Sequence, residues 1–275
     1  MTTETGAPPK GAPVLALLAV LLAAVLIAVF GVALARPGEH LAVLVYHHIE
    51  EPARSDVSCT PTQFAEQMAA LLADGFTPLR LEEVERYLAG LLPDVKRPVL
   101  ITFDDGYESL YAHALPIAKR LRIPMTVFVV TSRIGRRPQF AAYLSEEQIR
   151  EMAGSGFFQF GSHTNDLHTD LLRIWNAFDP VSPPPMALAV EADLACSRNR
   201  LTSLLGTAPV AIAWPYGKFN DETRGIAEKA GFTLHFTSRS GYNQPGDDRF
   251  CLRRVPVTCR DTPQSVVHKA MGGWL

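Results

Sequence analysis

Seven short apolar runs, with helical patterns between most of them, constrain this chain more than any other feature. They are Leu41 to Tyr46, Val99 to Phe103, Met125 to Val130, Phe157 to Phe160, Val210 to Ala213, Phe232 to Phe236 and Leu252 to Val257. Strands that alternate with helices predict a parallel sheet, and seven of them predict a sheet curled into a barrel, an α/β fold. The helix signals agree: Pro61 after Thr60 opens an amphipathic pattern toward Gly75, and Ser145 to Gln148 spells a capping box. Asn220 or Asp221 can cap a helix from Glu222 to Ala230 that Gly231 stops. With 47% apolar residues in 275, the chain can bury a sizeable core.

The N-terminus is a separate object. Residues 14–36 hold no charged or strongly polar side chain before Arg36, long enough to cross a ~30 Å hydrocarbon layer. They are expected to be a membrane anchor, or a signal segment if the small-residue site Ala33-Leu34-Ala35 is cut. Residues 1–13 are expected to be disordered and 37–275 to form one domain. A formal charge of −2 with mixed signs offers no basic face for nucleic acid. Cys59, Cys196, Cys251 and Cys259 lack CxxC spacing, which argues against a thiolate zinc site; they are either buried free thiols or, in an exported domain, paired. Asp179 to Met186, with its proline run, reads as an extended surface loop or a spacer before a helix from Ala187 to Leu205.

The chemistry-bearing residues follow the apolar runs. Asp104 and Asp105 end the run Val99 to Phe103, where adjacent charges repel and lose hydration unless something compensates them; a divalent cation would. Because side chains alternate at a strand end, the two should point apart, so that one ligates and the other stays free as a general base. His163 and His168 follow another run at a spacing of five, which suits a loop rather than one helical face. One carboxylate and two imidazoles would leave positions open for water and substrate. Trp214-Pro215-Tyr216-Gly217 forms a stiff turn whose backbone N–H could face an oxyanion. His47 or His48, after the first run, could protonate a leaving amine.

These residues resemble the polysaccharide deacetylases of carbohydrate esterase family 4, the NodB-homology proteins, over roughly Leu41 to Val257. Thr102 to Tyr107 is similar to their first motif, His163 to His168 to the second, and Trp214 to Gly217 to the third. The resemblance implies a deformed (β/α) barrel and metal-dependent removal of N-acetyl groups from an aminosugar. It implies Asp104 as base, Asp105, His163 and His168 as metal ligands, and Tyr216 as the donor of a backbone N–H. The five-residue histidine spacing and the early Tyr46-His47 resemble the poly-β-1,6-N-acetylglucosamine deacetylases of biofilm systems, which selects His47 as the acid. Ala213 stands where many relatives carry an arginine that orients the base; Arg253 or Arg254 is the candidate replacement. Tyr107, Trp214, Pro215 and Arg254 are expected to bind substrate.

The expected function is therefore release of acetate from an extracellular N-acetylated polymer by a membrane-held enzyme using zinc, or nickel, cobalt or iron. Peptidoglycan, chitooligosaccharide or a lipid-linked aminosugar are alternative substrates, and a non-catalytic glycan-binding relative is an alternative of another class. An iron oxygenase shares the two-histidine, one-carboxylate set but not the parallel alternation.

Overall fold

The computed structural model describes residues 40–139, 141–169 and 185–273. The expected disordered stretch 1–13, the apolar segment 14–36 and most of the proline-rich stretch lie outside the described residues. Among those described, no helix is long and apolar enough to cross a membrane.

The strands are β1 (Ala42–Tyr46), β2 (His48–Ile49), β3 (Ser58–Cys59), β4 (Thr77–Pro78), β5 (Pro98–Phe103), β6 (Met125–Val129), β7 (Phe158–Ser162), β8 (Ala211–Ala213), β9 (Leu234–Ser240) and β10 (Leu252–Pro256). Among the described residues, seven of them close a parallel barrel in the order β1, β5, β6, β7, β8, β9, β10 and back to β1. Each of the seven expected runs is one of these strands, shifted by at most two residues at its start.

β1 is the closing strand, paired along its whole length with β5 and at Leu44 and Val45 with β10. Its side chains divide by the two-residue period of a strand. Val43 joins Leu100, Phe128 and Phe236 in one buried cluster, while Ala42, Leu44 and Tyr46 join Phe64 and Met68 of the helix Pro61–Ala73 in another. The barrel is uneven. β6 meets β5 only at Thr102 and Phe103, and the short β4 pairs with the start of β5 at Pro98 and Val99 instead. β7 touches β8 at one register pair, Ser162 with Ile212, and the β9–β10 register slips between Leu252 and Arg254. Neither β4 nor the β2–β3 pair was signalled by periodicity, since each is only two residues long.

Helix ends follow their side chains. Thr60, Ser145 and Asn220 each cap reciprocally with the residue three positions on, which satisfies amides that a helix leaves open. The helix Pro185–Leu205 begins earlier than expected: Met186, read as part of the loop, lies in its first turn and is buried. All four cysteines are free thiols.

Gly161 of β7 shows how tightly the barrel is packed next to the site. A Cβ there would lie 2.6 Å from the Phe128 ring and 2.9 Å from the Ala211 carbonyl oxygen. Gly161→Ala is expected to cost about 1–3 kcal/mol in urea denaturation, as overpacked cores do. Wild-type stability would contradict this packing.

Candidate active site

In a parallel barrel all strands end on one side, and β1, β5, β7, β8 and β10 there deliver their side chains to one cavity of about 340 Å³. His47, Asp104, Asp105, His163, His168 and Tyr216 all line it. Ladder bonds continue past the strand ends to hold these residues: Asp104 N–H donates to Tyr46 O at 3.0 Å and His163 N–H to Val129 O at 2.9 Å. Trp214 N–H donates to Phe236 O at 3.0 Å.

The backbone then turns sharply. Asp105, Thr164 and Tyr216 have φ of 71°, 70° and 55°, a left-handed region that non-glycine residues rarely adopt. Such conformations cost on the order of 1–3 kcal/mol each and persist only where their surroundings enforce them. At Tyr216 the enforcement is visible. Ser238 Oγ donates to Tyr216 O at 2.7 Å, and a Cβ on Gly217 would lie 2.2 Å from Ser238 N. Gly217 N–H and Lys218 N–H close the turn onto Trp214 O and Pro215 O.

The two aspartates have different partners. Arg254 grips Asp104 with both ends of its fork, Nη1 to Oδ1 at 2.7 Å and Nη2 to Oδ2 at 2.8 Å, while its Nε donates to Thr237 O at 2.7 Å. Burial alone would raise the Asp104 pKa, but Arg254, with His163 and His47, holds it below the ordinary carboxylate value. Asp104 is therefore ionised and fixed in orientation. For Asp105 burial again acts upward, and the adjacent His168, with His163 and His47, lowers it well below the usual range.

Asp105, His163 and His168 bring one ligand atom each within 4.8 Å of one another. His163 donates Nδ1–H to the Ala213 carbonyl at 2.7 Å, so the bare Nε2 faces the carboxylates, 3.9 Å from Asp105 Oδ1 and from Asp104 Oδ2. That is the tautomer a metal ligand needs. Asp105 Oδ1 lies 2.9 Å from His168 Nε2 yet is a buried acceptor without an aligned donor. Two atoms aimed at a common third point make such a contact, and these residues fit a divalent cation. His168 Nδ1 accepts from Arg133 Nη2 at 3.3 Å, a contact that ligation through Nε2 would exchange for the opposite tautomer.

Of the four residues expected at the substrate, Arg254 lines the cavity and Tyr107, Trp214 and Pro215 do not. Trp214 is fully buried, stacked on Phe219 at 5.5 Å and packed with Ile212 and Phe232. Pro215 is buried beside it. Arg254, 3% exposed, is spent on Asp104 rather than substrate, and so takes the orienting role open at Ala213; Arg253 instead uses its backbone on Asn243. Tyr107 is half-buried, its ring 4.6 Å from that of His48 and 5.2 Å from that of Tyr143, and does not line the cavity. The side chain that does stand at the mouth is Tyr216, 60% exposed and 5.7 Å from the His168 ring. Ser238 and Arg133 were not foreseen; neither belongs to a motif, and only the closed barrel brings them to the site.

An oriented carboxylate beside a candidate cation site is an arrangement that can activate water for hydrolysis. The polysaccharide deacetylase family profile matches residues 93–235, which span both aspartates, both histidines and the Tyr216 turn. The chain belongs to the polysaccharide deacetylase family, and it is an enzyme of that class. It is 28% identical over 225 residues to the poly-beta-1,6-N-acetyl-D-glucosamine N-deacetylase of Staphylococcus aureus, covering 81% of this chain and 76% of that protein. Among solved structures, IcaB from Ammonifex degensii superposes with a TM-score of 0.75 at 35% identity, over 86% of this chain and 98% of that one. The Streptococcus pyogenes deacetylase PplD, solved with acetate, gives 0.72 at 26% identity, over 85% and 99%.

The Arg254–Asp104 pair yields a pH test. A carboxyl with a folded pKa below the ~3.9 of an unfolded aspartate adds stability that is present above that value and lost as pH falls through the folded pKa. Arg254→Met leaves the carboxylate buried and unpaired, which should cost about 3–5 kcal/mol at pH 7. The deficit should shrink toward pH 5, where the orphaned Asp104 takes up a proton. Denaturation at both values checks this; a deficit independent of pH would contradict it.

Proposed function

We propose that this enzyme removes N-acetyl groups from poly-β-1,6-N-acetylglucosamine, using a divalent cation, with zinc as the expected metal. The observation that carries the reading is the ionised Asp104, held by Arg254, facing the same cavity as Asp105, His163 and His168. The choice of polymer is supported by the name of the Staphylococcus aureus relative and by the five-residue histidine spacing. With the apolar segment 14–36 as an anchor, the catalytic domain would work outside the cytoplasm, where such a polymer is found.

A cation held by Asp105, His163 and His168 would polarise the acetamide carbonyl and lower the pKa of attacking water. Asp104 accepts the proton of that water. Arg254 lowers the proton affinity of Asp104 while fixing its orientation and favouring its ionised form. The Tyr216 N–H, in the left-handed turn pinned by Ser238, donates to the developing oxyanion. His47 supplies a proton to the nitrogen as the C–N bond breaks. Its Nδ1 is buried without a partner, and the ring lines the cavity that Tyr216 also lines. Amide and water balance as acetate and an ammonium group: the water proton taken by Asp104 replaces the one His47 gives the nitrogen, and the remaining carboxyl proton passes to the amine.

Asp104→Asn should lower acetate release by about 10²–10⁴-fold, the usual worth of a general base, without loss of bound metal. Near-wild-type turnover would remove Asp104 from the role. A panel of N-acetylated polymers, read by acetate release, tests the substrate: preference for the β-1,6-linked polymer is expected, and preference for peptidoglycan or chitooligosaccharide would overturn that choice.

A further inference from the structure

The segment between the two ligand histidines, Thr164 to Leu167, belongs to no helix or strand, so its amides have no regular partners. One helix supplies them. From Pro185–Leu205, Asp193 accepts three successive N–H bonds: Asn165 to Oδ1 at 2.8 Å, Asp166 to Oδ2 at 2.7 Å and Leu167 to Oδ2 at 3.0 Å. One turn further along, Ser197 Oγ lies 2.6 Å from Ser162 Oγ, which accepts the Thr164 N–H at 3.0 Å. Four consecutive amides are thus satisfied, directly or through one hydroxyl, from a single helical face. The carbonyl side is held as well: Thr131 N–H donates to Thr164 O at 3.1 Å and Ser132 N–H to Asn165 O at 3.0 Å.

Asp193 is a charged side chain only 8% exposed, on the buried stripe that also carries Met186, Val190, Leu194 and Ser197. A buried carboxylate is costly unless its lone pairs are filled, and here backbone N–H groups fill them. His163 is anchored independently, by its ladder bond to β6 and by Ala213 O. His168 has no such strand; its Cα follows directly from the three clamped amides.

We propose that Asp193 is a positioning residue that sets His168 as a metal ligand: its carboxylate gathers the amides of Asn165, Asp166 and Leu167 and so fixes the five-residue loop that returns the second imidazole to Asp105. This rests on the metal reading above, and the two can fail separately. Ligand-orienting groups behind a metal site are worth roughly 10–100-fold in affinity.

The test uses the full-length protein, with zinc and cobalt(II) as probes. Zinc affinity is measured by chelator competition, the cobalt coordination by its visible spectrum, and the thermal midpoint of the metal-free form is recorded alongside. Asp193→Asn puts an amide NH₂ against backbone N–H groups and should bind zinc about 10–100-fold more weakly, with a cobalt spectrum altered toward fewer imidazole ligands. Asp193→Glu, which keeps the charge but moves it by one methylene, should fall between Asn and wild type, and it carries the test if the Asn variant does not fold. A folded Asp193 variant with wild-type zinc affinity and an unchanged cobalt spectrum, differing only in thermal midpoint, would reduce Asp193 to a stability role and overturn the proposal. A wild-type protein that binds neither metal would instead overturn the metal reading itself.

Discussion

Two carboxylates taken out of water at the mouth of a barrel must each find positive charge, and the arrangement of the site follows from how they do. Asp104 and Asp105 are adjacent in sequence and both buried. Leaving two unpaired charges there would cost several kcal/mol each. Asp104 is neutralised from within the fold by the bidentate Arg254 pair, 150 residues away in sequence, which exists only because β10 closes onto β1 beside β5. Asp105 is given imidazoles instead, and its unaligned 2.9 Å approach to His168 leaves that compensation incomplete. A cation between Asp105, His163 and His168, as proposed, would complete it. The same electrostatic demand thus gives the two aspartates different partners, which is what the proposed roles of base and ligand require.

The geometry is held at a cost in backbone strain. Three of the left-handed non-glycine residues stand in the site loops, at Asp105, Thr164 and Tyr216, each just past the end of a different strand. Each has an identifiable restraint: the Gly106 turn with its N–H on Asp104 O, the Ser162–Ser197 hydroxyl pair beneath Thr164, and Ser238 on Tyr216 O. Strain of this kind concentrates where function requires a side chain or an amide to face away from the direction that a regular strand would give it.

Periodicity made the barrel readable in advance because its strands are buried on both faces and appear as unbroken apolar runs. The motif residues were readable because they directly follow those runs: Asp104, Asp105, His163, His168 and His47 all lie on one cavity. What could not be read depends on closure. The alternation rule predicts that neighbouring aspartates diverge, and they do reach different partners, but the left-handed Asp105 keeps both on the cavity. Trp214 was expected at the substrate because a motif aromatic invites that reading; its indole is buried because β8 is only three residues long and the chain is still inside the fold when it ends. Asp193 left a fainter trace, a charge on a helical stripe whose other buried residues are uncharged, whose meaning needs the loop it faces.

Bound-metal stoichiometry in two single variants separates the roles proposed for Asp104 and Asp105. After zinc loading and dialysis, Asp104→Ala is predicted to retain one ion per chain and Asp105→Ala to lose it. Retention by Asp105→Ala with loss from Asp104→Ala would contradict the account.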